Sequence, residues 1–258
     1  MNVLVCVKRV PQPGGSIRLT EDGQDVDTRY SGFTVSPHEE CAVEEAVRLV
    51  EAHGGTATVL TLGPEAAVEQ LREAIAVGVE RAILLETDGA EWDPIATAGA
   101  IAAAIEAERA AGFAYDLLLF GNEAADSGDY QVPVRVATLL DLPCVTGVKE
   151  LAVAGETATA KVDAGDGWDV FELGLPAVVS VREGLNLPRY PTFPGRLRAK
   201  KRDVIRHPVA APEGGPAGPT KLRLSLPRES HASVEILGYG PEAAPAVVAV
   251  LARLGVLS

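Results

Sequence analysis

A loop of small, acidic and amide residues follows a strongly apolar segment near the middle of the chain, and its composition suits ligand binding. The apolar segment Tyr115 to Phe120 leads into residues 121–131, GNEAADSGDYQ, after which a helix is predicted. The two glycines would let a ligand approach the backbone, and the free N–H groups of a helix start can bind an anion. This pattern suggests a nucleotide phosphate site. An ordinary loop in which Asp126 or Asp129 caps the helix is the alternative, and the local sequence alone favours it.

The sequence lacks the motifs of several other reactive centres. It has no GxxxxGK[ST] loop, no GxGxxG after the first strand and no GxSxG, so it does not support a P-loop NTPase, a typical dinucleotide dehydrogenase or a nucleophile elbow. The four histidines lack metal-ligand spacing, and the three cysteines form no CxxC pair. Because no nucleophile–base pair can be identified, any chemistry would have to come from a bound cofactor.

A basic, proline-rich segment at residues 182–202 is the second candidate site. The run from Arg189 to Arg206 contains seven basic side chains and a single acidic one, Asp203. Prolines restrict the conformations of the segment, and exposed apolar groups on a stiff loop suit protein docking because less entropy is lost on binding. A solvated charged surface explains the basic residues equally well. The apolar candidates for docking are Leu187, Tyr190 and Phe193.

The elements that would position both candidates alternate between strands and helices. Apolar runs with helical spacing separate short apolar strands, which predicts an α/β fold with a mainly parallel sheet covered by helices on both faces. Ligands of such sheets bind beyond the carboxyl ends of the strands. The predicted strands are Val3–Val7, Thr56–Leu62, Ala82–Glu86, Tyr115–Phe120 and Ala177–Val181, and the predicted helices are 37–53, 64–77, 94–111 and 131–140.

The pattern changes after Pro143. Residues 145–181 suggest a small antiparallel extension of the sheet, whereas 184–201 show no periodicity. We expect residues 1–206 to form the ligand-binding domain. Residues 207–258 would form a linker and a C-terminal arm that packs on another subunit. Within this arm the pattern predicts a linker at 208–219, a strand at 221–226 and a helix at 242–254.

Composition excludes some classes of function. The formal net charge of −13 argues against nucleic-acid binding, which depends on the neutralisation of phosphates. No apolar run of about 18 residues is present, so we expect no membrane insertion. The scattered cysteines are typical of a protein in a reducing cytoplasm.

Four segments resemble the β subunit of electron transfer flavoprotein, in the same order over roughly residues 1–206. They are VLVCVKRV, SPHEECAVEEAVRL, GPEAAVEQLREAIAVGVERAILL and EGLNLPRYPTFPGRLRAKK. The resemblance implies an adenine-nucleotide-binding, Rossmann-like α/β domain that pairs with an α subunit carrying the redox-active FAD. Such a pair passes electrons from flavin dehydrogenases to an acceptor such as a quinone oxidoreductase. It also implies that the β subunit has no catalytic residue of its own and holds AMP or, in electron-bifurcating members, a second FAD.

The resemblance also assigns roles to individual positions. The docking segment would be residues 184–201, with Phe193 in place of the usual apolar anchor, and its binding residues would be Leu187, Tyr190, Phe193, Arg196, Lys200 and Lys201. The nucleotide site would be formed by Cys6, Ser36, Pro37, His38, Glu39, Leu62, Asp126, Ser127, Gly128, Asp129, Tyr130, Gln131 and Val132.

Several of these positions depart from the family pattern. The phosphate loop of the family usually reads Thr-Gly-Gln-Val-Gly, and this chain has Asp129-Tyr130-Gln131-Val132-Pro133. Two like charges about 4 Å apart repel by roughly 1 kcal/mol in water and by several times more in a partly buried site. Ser36 and His38 also replace Asn and Phe. We therefore expect the nucleotide of the β site to be weakened, repositioned or absent.

Two alternatives stay open. An electron-bifurcating variant would hold a second FAD in the β pocket, and the altered residues count against it. An adenine-nucleotide hydrolase or ligase of similar fold would need a Ser-Gly-Gly-rich phosphate loop after the first strand, where this chain has Lys8-Arg9-Val10-Pro11.

Overall fold

A computed structural model describes residues 1–12, 14, 17–211, 218, 221–226 and 234–257. Two 3₁₀ turns, Glu65–Ala67 and Gly240–Ala243, precede the second and the last helix. The strands are β1 (Asn2–Val7), β2 (Val10–Pro11), β3 (Phe33–Thr34), β4 (Thr56–Gly63), β5 (Arg81–Glu86), β6 (Leu117–Gly121), β7 (Cys144–Ala154), β8 (Thr157–Asp163), β9 (Trp168–Gly174), β10 (Ala177–Val181) and β11 (Ile205–Pro208). The helices are α1 (Pro37–His53), α2 (Val68–Val77), α3 (Pro94–Ala110), α4 (Val132–Leu140), α5 (Phe193–Lys201) and α6 (Ala244–Arg253).

Nine strands form one sheet in the order β11-β5-β4-β1-β6-β10-β7-β8-β9. The strands from β11 to β7 pair in parallel, and β8 and β9 extend the sheet in antiparallel pairing. A separate antiparallel ribbon joins β2 to β3. The predicted α/β class, with a mainly parallel sheet and a small antiparallel extension, is confirmed.

Helices cover both faces of the parallel strands, as predicted. Val3 and Val5 of β1 pack in a core with α1 and α2, whereas Leu4 and Cys6 of the same strand pack in a second core with α3 and α4. A strand that is buried on both faces must be apolar at nearly every position, which explains the unbroken run at the start of the chain. The cores therefore hold the carboxyl ends of β1, β4 and β6 side by side.

The predicted helices and parallel strands differ from the observed ones by only a few residues at their ends. The helix that was expected to begin at Pro64 begins instead with the 3₁₀ turn, and α2 follows it. Ser36 caps α1 and Pro37 occupies its first turn, a position that proline tolerates because its N–H is not needed there. Gly54 ends the same helix with a φ of 72°.

Helix α5 lies in the second half of residues 184–201, a segment in which the sequence shows no periodicity and from which no helix was predicted. The side chain of Thr192 caps this helix by accepting from the N–H of Gly195. The buried residues of α5 are Gly195 and Ala199, which pack toward α2. Because these two residues carry almost no apolar side chain, the hydrophobic pattern gives no sign of a buried helix face.

The C-terminal predictions are partly wrong. Residues 221–226 alternate like a strand but form none, and the carbonyl of Leu222 accepts from the side-chain amide of Gln24 instead. The helix predicted at 242–254 is α6, preceded by the 3₁₀ turn. Most of the expected linker at 208–219 lies outside the described residues.

The chain divides into two compact units, Met1–Arg223 and Leu224–Ser258. The first unit contains the whole sheet, and the boundary expected at residue 206 falls within β11. The second unit contains α6, which has no buried residue of its own. Among the described residues, no helix is both long and apolar enough to cross a lipid bilayer.

Candidate functional site

The candidate site lies at the carboxyl ends of β1, β4 and β6. The chain runs from β1 outward to β4 and β5, and then returns to place β6 on the other side of β1. Such a reversal opens a crevice at the carboxyl edge of a parallel sheet. Cys6 of β1 pairs in register with Phe120 of β6, so the loop after β6 begins next to the end of β1.

The start of α1 closes one side of this crevice through a reciprocal cap. The N–H of Glu39 donates to the Ser36 hydroxyl at 3.2 Å, and the N–H of Ser36 donates to Glu39 Oε2 at 2.8 Å. The other oxygen of Glu39 accepts from the N–H of Lys8 at 2.7 Å. The carboxylate therefore joins the start of α1 to the loop after β1.

The Glu39 side chain is buried, and its environment changes its acidity. Burial raises the pKa of Glu39 to about 7, although the N–H groups of Ser36 and Lys8 act in the opposite direction. Burial raises the pKa of the Cys6 thiol, and the nearby charge of Glu39 adds a smaller effect in the same direction. Cys6 is therefore a neutral, buried group and not a nucleophile.

Gly121 allows α1 to approach the end of β6. A Cβ at this position would lie 2.7 Å from Glu39 Cγ and 3.4 Å from His38 Cβ. We expected the glycines of this loop to admit a ligand, but the space beside Gly121 is taken by residues of α1. His38 Nδ1 accepts from the N–H of Glu183 at 2.7 Å, and its Nε2 lies 3.6 Å from Glu123 Oε1.

The loop after β6 is held by its own charged side chains. The Tyr130 hydroxyl donates to Glu123 Oε2, and Lys8 Nζ lies 2.8 Å from the Asp126 carboxylate. Asp129 Oδ1 accepts from the N–H of Gln131 at 2.8 Å, just before α4 begins. The N-cap of α4 is Gln131, which makes no side-chain cap hydrogen bond, so the expectation that Asp126 or Asp129 caps this helix is wrong.

The remaining residues predicted for the nucleotide site take part in local structure: helix starts, a turn and the edge of a core. Pro37 is the first residue of α1, and Val132 is the first residue of α4. The N–H groups of Ser127 and Gly128 both donate to the carbonyl of Ala124, and Gly128 has a φ of 64°. Leu62 packs against the core beneath α3 and α4.

The predicted docking segment exposes its apolar side chains. Leu187 is 90% exposed, Tyr190 93% and Phe193 75%. These three side chains lie within seven residues of sequence and bury little surface inside the described chain. Exposed apolar groups of this size that recur along one segment are typical of an interaction surface.

The basic run from Arg189 to Arg206 has less free positive charge than its composition suggests, because two of its seven cations are paired with carboxylates. Arg189 is bound to Glu44 and Glu51, and Arg206 is bound to Glu65 and Glu86. Among the described residues, the other five cations of this run are exposed and form no salt bridge. They are Arg196, Arg198, Lys200, Lys201 and Arg202.

Comparisons with known proteins identify the family. Residues 26–212 match the family model described as "Electron transfer flavoprotein domain". The chain belongs to this family. It is 36% identical to "Electron transfer flavoprotein subunit beta" of Bacillus subtilis over 206 residues, covering 79% of this chain and 77% of that protein. The protein of the same name from Syntrophomonas wolfei is 38% identical over 239 residues, covering 92% of this chain and 90% of that protein.

A more distant relative supports the same conclusion. The electron transfer flavoprotein subunit beta of Bradyrhizobium diazoefficiens is 33% identical over 213 residues, covering 81% of this chain and 82% of that protein. The chain is thus a β-subunit member of the electron transfer flavoproteins, which transport electrons through a flavin. The resemblance stated from the sequence is confirmed.

The pocket residues do not fit the phosphate of the AMP that the family resemblance implies. The N–H of Gln131 is already bound to Asp129, and Lys8 is already paired with Asp126. Glu123 places a third carboxylate at the same loop. Arg182 acts electrostatically on Tyr130, and Lys221 acts on Asp126 but is itself paired with Glu91, so carboxylates still outnumber cations around this loop. At an effective dielectric constant near 20, each like charge about 4 Å away would repel a phosphate by about 4 kcal/mol.

The sequence interpretation missed two residues of this edge. It treated Lys8 only as part of a poor phosphate loop, and it did not select Glu123, which contacts both His38 and Tyr130. Charged residues directly after β1 and β6 were the signal that could have identified them. Among the described residues, no group of three acidic, histidine or cysteine side chains could hold a metal ion.

Proposed function

We propose that this chain is the β subunit of a heterodimer whose α partner carries the FAD. The complex passes electrons from flavin dehydrogenases to a downstream acceptor such as a quinone oxidoreductase. Membership of the β-subunit family is the observation that carries the proposal. In this arrangement the chain itself binds and positions proteins and supplies no reacting side chain. FAD supplies the electron-transfer chemistry when it is bound between the subunits.

Co-expression of this chain with a candidate α subunit encoded by a neighbouring gene tests this proposal. We expect the two chains to co-purify as a yellow 1:1 complex that contains one FAD. Counting flavin and adenine nucleotide after denaturation also tests the β pocket, where we expect neither AMP nor FAD at stoichiometric amount. Two FAD per heterodimer would instead identify the bifurcating alternative. A chain that purifies alone and binds no α subunit would contradict the proposal.

Dehydrogenase docking is assigned to the exposed residues of the segment 184–201. The apolar contacts would come from Leu187, Tyr190 and Phe193, and the cationic contacts from Arg196, Lys200 and Lys201. The exposure of all three apolar side chains supports this assignment. The cations of α5 form no salt bridge among the described residues, and they would favour an acidic partner surface and would speed its approach.

Replacing the central anchor tests the docking assignment. Phe193→Ala removes a large apolar contact, and alanine substitutions at such anchors commonly weaken binding by about 2 kcal/mol or more. We expect electron transfer from a flavin dehydrogenase to slow by at least tenfold at low concentrations, with an unchanged flavin spectrum. Tyr30→Ala, at an aromatic residue that is 90% exposed outside the segment, is the matched control. Equal rates for both variants and the wild type would remove the assignment.

The second unit, Leu224–Ser258, which is most of the C-terminal arm expected at 207–258, is assigned to the α-subunit interface. Helix α6 buries none of its residues, and Val247, Val248 and Leu254 are exposed. An apolar helix without a core of its own is stable in water only when another surface covers it. We therefore propose that the α subunit covers this helix.

A further inference from the structure

Residues 183–189 lie along α1 and are attached to it at successive points. The N–H of Glu183 donates to His38 Nδ1, and Asn186 Nδ2 donates to the Cys41 carbonyl at 3.0 Å and to Glu45 Oε2 at 2.9 Å. His38, Cys41 and Glu45 are spaced by three and four residues, so they share one face of α1. A polar stripe of this helix therefore receives the segment.

Arg189 makes the strongest attachment. Its Nε and Nη2 donate to the two oxygens of Glu44 at 2.9 and 3.0 Å, and its Nη1 and Nη2 donate to the two oxygens of Glu51 at 2.7 and 2.9 Å. The backbone N–H of Arg189 also donates to Glu44, at 3.1 Å. The Glu44 side chain is only 7% exposed, so solvent screens this pair weakly. Two-pronged arginine–carboxylate pairs fix orientation as well as distance.

Two apolar side chains beside these attachments, Leu187 and Tyr190, face solvent, whereas Leu185 packs against the core. Leu187 lies between Asn186 and Arg189, and Tyr190 directly follows Arg189, yet both side chains are almost fully exposed. The far end of the segment is held separately, because Arg72 Nη1 donates to the carbonyls of Ala199 and Lys200 at the end of α5. The backbone is thus fixed on both sides of Tyr190, Phe193 and Arg196.

We propose that Arg189, held by Glu44 and Glu51 of α1, is a positioning residue that keeps the docking segment in its binding conformation. This inference rests on the proposed docking function. A segment that is already ordered loses less entropy when a partner binds, so loss of the clamp weakens docking without removing any contact residue. The partner remains the flavin dehydrogenase of the proposed function.

The test compares three variants of the α/β complex with the wild type. Arg189→Ala removes the clamp, and Glu44→Gln keeps the shape of the acceptor but removes its charge. Arg206→Ala is the matched control, because Arg206 also binds two carboxylates, those of Glu65 and Glu86, but lies on β11. Each complex is reduced by a purified flavin dehydrogenase that reduces the wild type, and separately by dithionite.

For Arg189→Ala we expect the KM of the dehydrogenase for the complex to rise about five- to tenfold, with kcat unchanged within twofold. For Glu44→Gln we expect a smaller rise in the same direction. Reduction by dithionite should not change, and amide exchange at Glu183 and Arg189 should accelerate in both variants. An equal rise in KM for Arg206→Ala would overturn the inference, because the effect would then be a general loss of stability.

Two further outcomes separate the clamp from the docking assignment. If Phe193→Ala raises KM but Arg189→Ala does not, docking stands and the positioning role is wrong. If neither variant raises KM, docking through this segment is wrong and the inference fails with it. If amide exchange at Glu183 and Arg189 is unchanged in Arg189→Ala, the clamp does not order the segment and the inference is overturned.

Discussion

At the scale of single residues, Glu39 shows burial and hydrogen bonding acting in opposite directions on one carboxyl group. Its two oxygens accept the N–H groups of Ser36 and Lys8, which favours the ionised form. Burial favours the neutral form and is the larger effect, so the pKa rises to about 7. A group with this pKa changes its charge near neutral pH at the junction of β1, α1 and the candidate pocket.

Replacement of Glu39 by glutamine should remove a pH-dependent part of the stability. Because the pKa of Glu39 is raised in the folded state, the folded protein binds the proton more tightly than the unfolded chain does. The stabilisation that comes from protonated Glu39 is complete below the unfolded pKa of 4.5, and it is lost as the pH rises through about 7. The unfolding free energy of the wild type minus that of Glu39→Gln should therefore fall between pH 4.5 and 7.5, by up to about 3 kcal/mol.

Chemical denaturation of both proteins at several pH values measures this difference. Because the unfolding free energies of the two proteins are subtracted at each pH, the titration of groups that both proteins share cancels. A difference that stays constant, or that rises with pH, would contradict the assigned environment of Glu39.

We propose that Asp129 contributes to the exclusion of a phosphate from the pocket. Asp129→Thr removes one carboxylate from the loop and introduces the residue type that the family resemblance implies at this position, while Lys8 and Arg182 stay in place. We expect AMP affinity to increase by at least tenfold, measured by calorimetric titration of the complex with AMP. Asp141→Thr is not a suitable control because Asp141 has a φ of 53°. Asp166→Thr, in the exposed turn after β8, should leave AMP binding unchanged.

Tight AMP binding by the wild-type complex would contradict this view of the pocket. So would an Asp129→Thr complex whose affinity is no higher than that of the wild type, because another group would then exclude the phosphate.

At the scale of elements, α5 shows how a polar helix is held by small residues. Gly195 and Ala199 are one turn apart and are buried against α2, while the rest of α5 carries arginines and lysines. A Cβ on Gly195 would fall well inside the van der Waals contact distance of the Ala76 carbonyl oxygen. The close approach of the two helices therefore depends on the missing side chain at residue 195.

Gly195→Ala should push α5 away from α2. Overpacking of this kind typically costs 1–3 kcal/mol, so we expect the unfolding free energy to fall by about that amount in urea denaturation. Gly167→Ala is the matched control, because a Cβ at Gly167 would have no atom within 4 Å. If Gly195→Ala were as stable as this control, the packing described for α5 would be wrong.

At the scale of the whole molecule, the two units differ in how much of their apolar surface is buried. Met1–Arg223 contains the sheet and both apolar cores, so it has what it needs to fold alone. Leu224–Ser258 contains a helix without buried side chains. We infer that the second unit contributes to assembly with the α subunit and not to the stability of the sheet.

A chain that ends at Arg223 should therefore keep a cooperative unfolding transition but lose its α partner. We expect its affinity for the α subunit, measured by titration or co-purification, to fall by at least a hundredfold, since an apolar helix would no longer be covered. The Phe193→Ala chain of full length is the control, because its substitution lies in the first unit. Undiminished association of the shortened chain would show that the arm is not the interface.

The sequence by itself determined the alternation of strands and helices, because the apolar spacing of each segment is a local property. It also determined that the loops before α1 and after β6 meet at one edge, because the ends of parallel strands lie together. The four segments that resemble the β-subunit family identified the function class. These conclusions required only residues that are close in sequence, or a shared order of motifs.

Only the tertiary structure decided which distant groups meet. Arg189 and Glu44 are 145 residues apart, as are His38 and Glu183, and no local pattern specifies either pair. Helix α5 was missed for the same reason, since its buried face becomes visible only once α2 lies against it. Residues 221–226 do not form the expected strand. A strand needs a neighbouring strand to pair with, and the alternation of side chains along one segment does not provide one. Hydrogen bonds and close packing depend on which surfaces the folded chain brings into contact.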